Sequence, residues 1–334
     1  MTLDKKSIPA YLQRKKLVAK GTHLTVEPLG DGRKNLVFYV AGPEQRWIVK
    51  QALSRVDIPE RWWLDRRRIF AERNCIERLA EILPPPLLPE VVLEDRTDFV
   101  LVTTAPVDTA TLWEDELAGG RIDLQIAVQC GELVATVHNE TAGKRDLKAQ
   151  FKDTKAFSQL RVEPYHGQVA LAFPDLKKIV DTQARHLLKD GRVLVLGDVR
   201  PRSIWVNSGQ LYLVDFAVAH YGSPSFDLAF YSTDMCLKAM QNSSQKAAYL
   251  EAINVFWHAY FGKAEYERVK ETEQLAVRDL GCLLLAATDG RQPVPLPDAH
   301  TADLSRRIAQ SLLFTELIRI DEITEFINRT LIDG

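Results

Sequence analysis

The chain has 334 residues, of which 46% are hydrophobic and 26% charged, with a formal net charge of −2 at pH 7. That composition excludes a disordered or low-complexity protein and supplies core material for two domains, or for one large two-lobed one. A near-neutral balance, with a pI near 6.4, carries no electrostatic footprint for nucleic acid, so no nucleic-acid partner is expected.

No run of the chain is long enough and apolar enough to span a membrane, and the opening MTLDKKS lacks the apolar region of a signal peptide. Cys75, Cys130, Cys236 and Cys282 are scattered without paired spacing. They read as buried thiols of a cytoplasmic protein rather than as disulfides or a zinc site.

In chain order, residues 8–20 carry Ile8, Leu12, Leu17 and Val18 at helical spacing, and Gly21 stops the helix. Residues 24–29 alternate as a strand and lead into Gly30-Asp31-Gly32-Arg33-Lys34-Asn35. Strands over 36–40 and 47–51 follow, separated by a Gly42-Pro43 turn. A glycine turn between antiparallel strands can lay backbone N–H groups over phosphates, although most such turns are only hairpin tips. Lys50 closes the third strand, and a helix over residues 64–82 buries Leu64, Ile69, Cys75, Ile76 and Leu79, with Glu72 at the edge of that face. A lysine on the third strand and a glutamate on the next helix form the pair that steers a lysine onto nucleotide phosphates.

Pro84-Pro85-Pro86 ends the helix, and strands over 91–93 and 99–102 lead to Thr103-Thr104-Ala105-Pro106. This segment reads as a hinge at which the backbone of Thr103 and Ala105 meets adenine. Beyond it the chain turns helical: residues 124–138, short helices and loops through 140–183, then helices over 225–240, 246–261 and 275–288, and closing helices over 302–332. A strand-rich first third followed by a helical remainder is an α+β pattern, divided here as 1–103 and 104–334.

The centre of the chain is residues 193–227. Two short apolar runs, 193–196 and 211–214, are each followed by an aspartate, Asp198 and Asp215, seventeen positions apart across an Asn-Ser-Gly turn. A strand that stops at a carboxylate holds it where it can face a ligand. One such acid for an attacking hydroxyl and one for magnesium form the centre of a phosphotransferase. The same residues also fit a plain hairpin whose acids cap turns. Arg200 and Arg202 flank the first aspartate, where they either clamp a phosphate or anionic substrate group, or stabilise the loop.

Taken together, Gly30/Gly32, the Ile48-Val49-Lys50-Gln51 strand, Leu64 to Glu72, Gly197-Asp198 to Ser203-Ile204, and Asp215 to Gly222 with Phe226-Asp227 resemble the aminoglycoside phosphotransferase and choline kinase family. Within it the chain is most similar to the S-methyl-5-thioribose kinase branch. The resemblance implies a bilobal protein-kinase-like fold, with a small antiparallel-sheet N-lobe and a larger, mainly helical C-lobe. It further implies an ATP- and Mg²⁺-dependent kinase that phosphorylates a hydroxyl of a small-molecule substrate, such as S-methyl-5-thioribose or a related pentose. Asp198 would accept the proton of the hydroxyl, and Asp215, with Ser203, would hold Mg²⁺. Lys50, steered by Glu72, would contact the phosphates, and Gly30, Asp31, Gly32 and Asn35 would cover them. Asp227 would be structural.

The chain also departs from the family pattern. Leu196 replaces a histidine, Ser203 stands where many relatives carry a metal-binding asparagine, and Ala217 stands where the thioribose branch has a second acidic ligand. Arg291 lies in the region of that branch's substrate-contacting arginine pair. Two other readings follow: a nucleotide-binding pseudokinase with a regulatory role, and an aminoglycoside-type antibiotic phosphotransferase. The thioribose branch also suggests a homodimer.

Overall fold

The structure, a computed structural model, describes residues 1–56, 62–291, 293–314 and 319–333. It separates into two compact units, one made of residues 1–110 and 212–217, the other of residues 111–211 and 218–334.

The first unit is built on a five-stranded antiparallel sheet. Its spatial order is Thr25–Leu29, Asn35–Ala41, Arg46–Ala52, Val100–Thr104, Val91–Asp95. The alternating apolar residues fix its register, since a one-residue slip would turn Val40 and Val49 out of the core. The expected opening helix is shorter than its periodicity suggests, covering Ile8–Arg14, because Lys16 takes a left-handed conformation (φ 62°). Leu3, Ile8, Tyr11 and Leu12 of this segment join Val26, Phe38, Val40, Trp47, Val49, Val100 and Val102 in one apolar cluster. The Tyr11 hydroxyl donates to Asp95 (2.8 Å), which also pairs with Lys15 (2.7 Å), so the segment is anchored by polar contacts as well as packing.

The long helix of this unit is Arg68–Ala80, beginning four residues later than the sequence pattern predicts. It buries Ile69, Glu72, Cys75, Ile76 and Leu79. Trp62–Trp63, just ahead of it, instead pairs as a short strand with Arg55–Val56. Arg68 fixes the helix start: its guanidinium donates to the carbonyls of Lys34 and Leu53 and to the Asn35 side chain. Burial lowers its pKa to about 10 despite the nearby Asp215 and Glu72.

The second unit is mainly helical. Leu124–Thr141 packs on Lys246–Lys263, and Val269–Asp289 packs on Ser225–Gln241 and Ala299–Phe314. Ile320–Asp333 closes the chain, while the link at residues 315–318 and Gln292 of the predicted helix-breaking segment lie outside the described residues. Gly131 sets the approach of the first pair, since a Cβ there would sit 2.3 Å from the Phe256 carbonyl oxygen. Gly131→Ala is therefore expected to cost about 2–3 kcal/mol by overpacking, although alanine is the better helix former. Urea unfolding of the two proteins checks this.

The strand pairing around the central aspartates differs from the simple hairpin reading. Val193–Val195 pairs antiparallel with His220–Gly222, a short strand the sequence did not suggest. The Ser208-Gly209 turn, with φ 50° and 75°, instead joins Ile204–Asn207 to Gln210–Leu213. Thus Asp198 and Asp215 do not terminate two strands of one hairpin.

Candidate active site

In the first unit, the register of Arg46–Ala52 turns Lys50 inward, where it is 7% exposed. Its ammonium donates to Glu72 at 3.0 Å and to Asp215 Oδ1 at 2.7 Å. Burial alone would depress the lysine, but the Asp215 and Glu72 carboxylates outweigh it and hold its pKa above the ordinary value. Glu72 is buried too, and desolvation raises its carboxyl despite Lys50. Asp215 follows the strand Gln210–Leu213 in a left-handed conformation, φ 68°. Aspartate tolerates that region better than most residues, and such strain is concentrated at functional sites. Its side chain is 39% exposed, so it presents a hard oxygen donor of the kind magnesium prefers.

The glycine turn lies between the first two strands, with Gly30 and Gly32 at φ 72° and 65°. Asp31 stabilises the turn by accepting the Arg33 N–H at 3.0 Å. Asn35 stands apart from the turn's other residues in its contacts: it opens the second strand, and its side-chain oxygen accepts from Arg68 at 2.9 Å. At the expected hinge, Thr103 is buried in the ladder opposite Ile48. The Ala105 N–H donates to the Arg46 carbonyl (3.0 Å), so it extends the sheet instead of pointing an open donor at a base.

The second unit holds Asp198, 5% exposed, at the start of a loop. Arg161 and Arg200 both reach its Oδ1, at 2.8 and 2.7 Å, and the Ser203 hydroxyl donates to Oδ2 at 3.3 Å. Two guanidinium groups ion-paired to one oxygen neutralise the carboxylate's charge in a buried place. Arg161 also donates to the Gly197 carbonyl (3.0 Å) and sits over the Phe230 ring, as Arg200 does. It lies in a π-helical segment, Ser158–Gly167, within a stretch that reads as unremarkable short helices and loops. Sequence reasoning missed Arg161 and offers no local signal for it.

The loop is held from below by Asp227. Its Oδ2 accepts the Leu196 N–H (2.8 Å) and its Oδ1 the Gly197 N–H (2.7 Å), which agrees with a structural role for this aspartate. Gly197 has to be glycine here: its φ is 75° and a Cβ would meet Val218 at 2.8 Å. His138 lies between Asp227 Oδ2 (3.2 Å) and the Tyr260 hydroxyl (2.7 Å). Asp227→Asn replaces one acceptor with a donor facing a buried N–H. It is expected to cost about 1.5–3 kcal/mol, read as a lower urea midpoint.

A cavity of about 280 Å³ opens beside this loop, lined among others by Arg200, Arg202, Phe230, Asp234 and Lys238. Arg291 is not among its lining residues; its backbone N–H donates to the Pro164 carbonyl (3.2 Å) and its side chain is half-buried. No helix among the described residues is long and apolar enough to cross a membrane.

Comparison with known proteins gives the family and the fold. The model of the phosphotransferase enzyme family (APH) matches residues 25–271. A methylthioribose kinase of Pectobacterium atrosepticum is 25% identical over 360 aligned positions, covering 93% of this chain and 80% of that protein. A second methylthioribose kinase, from Pectobacterium carotovorum, is 30% identical over 62% of this chain and 58% of its own length. The Plasmodium vivax ethanolamine kinase superposes with a TM-score of 0.56 over 98% of this chain and 89% of its own, at 12% identity, which speaks to the fold. The chain therefore belongs to the phosphotransferase enzyme family, has the protein-kinase-like fold of antiparallel-sheet N-lobe and mainly helical C-lobe, and is a small-molecule kinase acting on a hydroxyl group.

Proposed function

We propose that the protein is an ATP- and Mg²⁺-dependent kinase of a small neutral sugar, S-methyl-5-thioribose or a related pentose. The single observation that carries the nucleotide half is Lys50, buried and bridging Glu72 and Asp215 at 3.0 and 2.7 Å. The sugar half rests on the methylthioribose kinases to which the chain is similar.

Bound ATP supplies the phosphoryl group, and magnesium the charge neutralisation that its transfer requires. In this reading Lys50 binds the nucleotide phosphates, and Glu72 keeps the ammonium aimed at them. Asp215 would supply an oxygen ligand to magnesium, Ser203 is a second candidate for that role, and Gly30, Asp31 and Gly32 would cover the phosphates. Asp198 orients the acceptor hydroxyl and accepts its proton. Arg161 and Arg200 keep that carboxylate in place, so positioning is arranged before the substrate arrives. Arg202, which lines the cavity, is assigned to the acceptor side, and Arg291, which does not line it, is given no role there.

The test is phosphate transfer from ATP by purified protein to S-methyl-5-thioribose, unsubstituted pentoses, choline, ethanolamine and an aminoglycoside. Transfer to a neutral sugar with kcat/KM at least tenfold above the amines is the expected result. Preference for an amine would overturn the acceptor assignment, and no transfer to any of them would overturn the reading.

A further inference from the structure

The cavity lined by Arg200 and Arg202 has polar groups whose arrangement the family reading leaves unassigned. On one side Lys238 pairs with Glu114 at 2.9 Å and faces Asp234 at 3.6 Å. That second distance is too long for a hydrogen bond. Asp234 Oδ2 is buried and makes no hydrogen bond among the described residues. The Asp234 side chain is 16% exposed and lines the cavity, so a ligand's donor can meet the carboxylate there. Desolvation raises the Asp234 carboxyl, and the neighbouring Glu114 adds to this against the pull of Lys238.

The remaining surface is of two kinds. Arg202 is exposed at one edge, whereas Phe230, Leu237, Leu283, Ala286 and Ala287 form an apolar wall. The charges nearly cancel: Arg202 and Lys238 stand against Glu114 and Asp234, while Arg200 is tied to Asp198. A polycation gains little from such a balance, and neither does a polyanion. Interleaved donors and acceptors suit hydroxyl groups, each of which both donates and accepts. An apolar wall beside them suits an alkyl substituent, and about 280 Å³ is at the small end of ligand sites.

We propose that Asp234 is the specificity-determining residue of this cavity: its carboxylate accepts a hydroxyl of a neutral, monosaccharide-sized acceptor, Lys238 donates to a neighbouring oxygen, and an alkyl substituent of the acceptor packs on the wall that includes Leu283 and Ala287. This rests on the sugar-kinase reading and adds to it the residues that choose the sugar. Asp234 is on the helix Ser225–Gln241, which also carries Phe230 beneath Arg200. The acceptor anchor and the support of Asp198 therefore share one rigid element.

The test uses the full-length protein with ATP, magnesium and S-methyl-5-thioribose or ribose. Asp234→Ala is expected to raise the acceptor KM 10- to 100-fold while the KM for ATP stays within threefold, and Asp234→Asn, which keeps a hydrogen-bonding group, is expected to recover part of the loss. Ala287→Leu narrows the apolar wall and is expected to raise KM for the alkylthio sugar at least fivefold more than for ribose. If wild type phosphorylates the sugar and Asp234→Ala leaves its KM unchanged, or shifts both KM values alike, the assignment of Asp234 is wrong while the sugar-kinase reading stands. If wild type phosphorylates no sugar, that reading fails, and calorimetric titration of S-methyl-5-thioribose decides the cavity. Binding by wild type that weakens tenfold in Asp234→Ala upholds the site, and absence of binding, or equal binding by both, refutes it.

Discussion

Replacing Asp198 with asparagine is expected to lower kcat by about 10²–10⁴-fold, the usual contribution of a positioned proton acceptor. Asparagine has nearly the same shape, so the change isolates chemistry from packing better than alanine would. It is not silent structurally, however. Arg161 and Arg200 both rest on Asp198 Oδ1, at 2.8 and 2.7 Å, and Arg161 is 4% exposed. Removing the carboxylate leaves a buried guanidinium with weaker compensation, and that loss can reach about 3–5 kcal/mol when a buried pair is broken outright. Three measurements separate the effects: single-turnover transfer, ATP affinity by titration, and unfolding in urea. A variant that folds and binds ATP as wild type does, yet transfers phosphate within threefold of the wild-type rate, would remove Asp198 from the role of base.

Lys50→Met has the next largest expected effect, and it acts on binding and stability together. Loss of the ammonium removes a phosphate contact and is expected to raise the KM for ATP at least tenfold and to lower kcat. It also leaves Glu72, 5% exposed, without its cation. A buried carboxylate stripped of its partner costs about 3–5 kcal/mol when ionised, and it escapes part of that cost by taking up a proton. The sign of the pH dependence follows. Desolvation already raises the Glu72 carboxyl above its ordinary value of 4.5, with Lys50 opposing the shift, and without Lys50 the rise is larger. A carboxyl raised on folding contributes stability below its unfolded pKa and loses it as pH climbs through the folded one. The variant's deficit relative to wild type is therefore expected to be smaller at pH 5 than at pH 8. Urea midpoints at the two pH values measure it, and a deficit independent of pH would mean that Glu72 is not left charged and buried.

The parts of this site that were legible in the sequence are those set by local rules. The strand Arg46–Ala52 and the helix Arg68–Ala80 follow from period and from flanking turns, and together they place Lys50 and Glu72 on facing surfaces. Glycines at positions 30 and 32 announce a turn, and both have positive φ. Asp234 and Lys238, four apart on one helix, are paired only by the structure. Arg161 is the opposite case. It meets Asp198 from thirty-seven residues upstream, in a π-helical segment that no period predicts. His138 and Asp227 meet across eighty-nine residues, and the strand Val193–Val195 finds His220–Gly222 in place of the run that seemed to be its hairpin partner. Pairing of short strands and choice of ion partners depend on which surfaces the packed helices bring together, and short apolar runs carry little register information of their own.

By itself, then, the sequence determined the class of fold and put forward the acids and the lysine as candidates, because period, turn chemistry and ordered motifs are properties of short segments. Only the tertiary structure decided what those residues touch. It tied Asn35 to Arg68 and committed the Ala105 N–H to the sheet. It set two arginines on Asp198 and put Asp234 on the wall of a cavity. The physical reason is common to all of these. A buried polar group must find its partner wherever close packing of distant segments provides one, and that choice is made by the whole core and not by the neighbours in sequence.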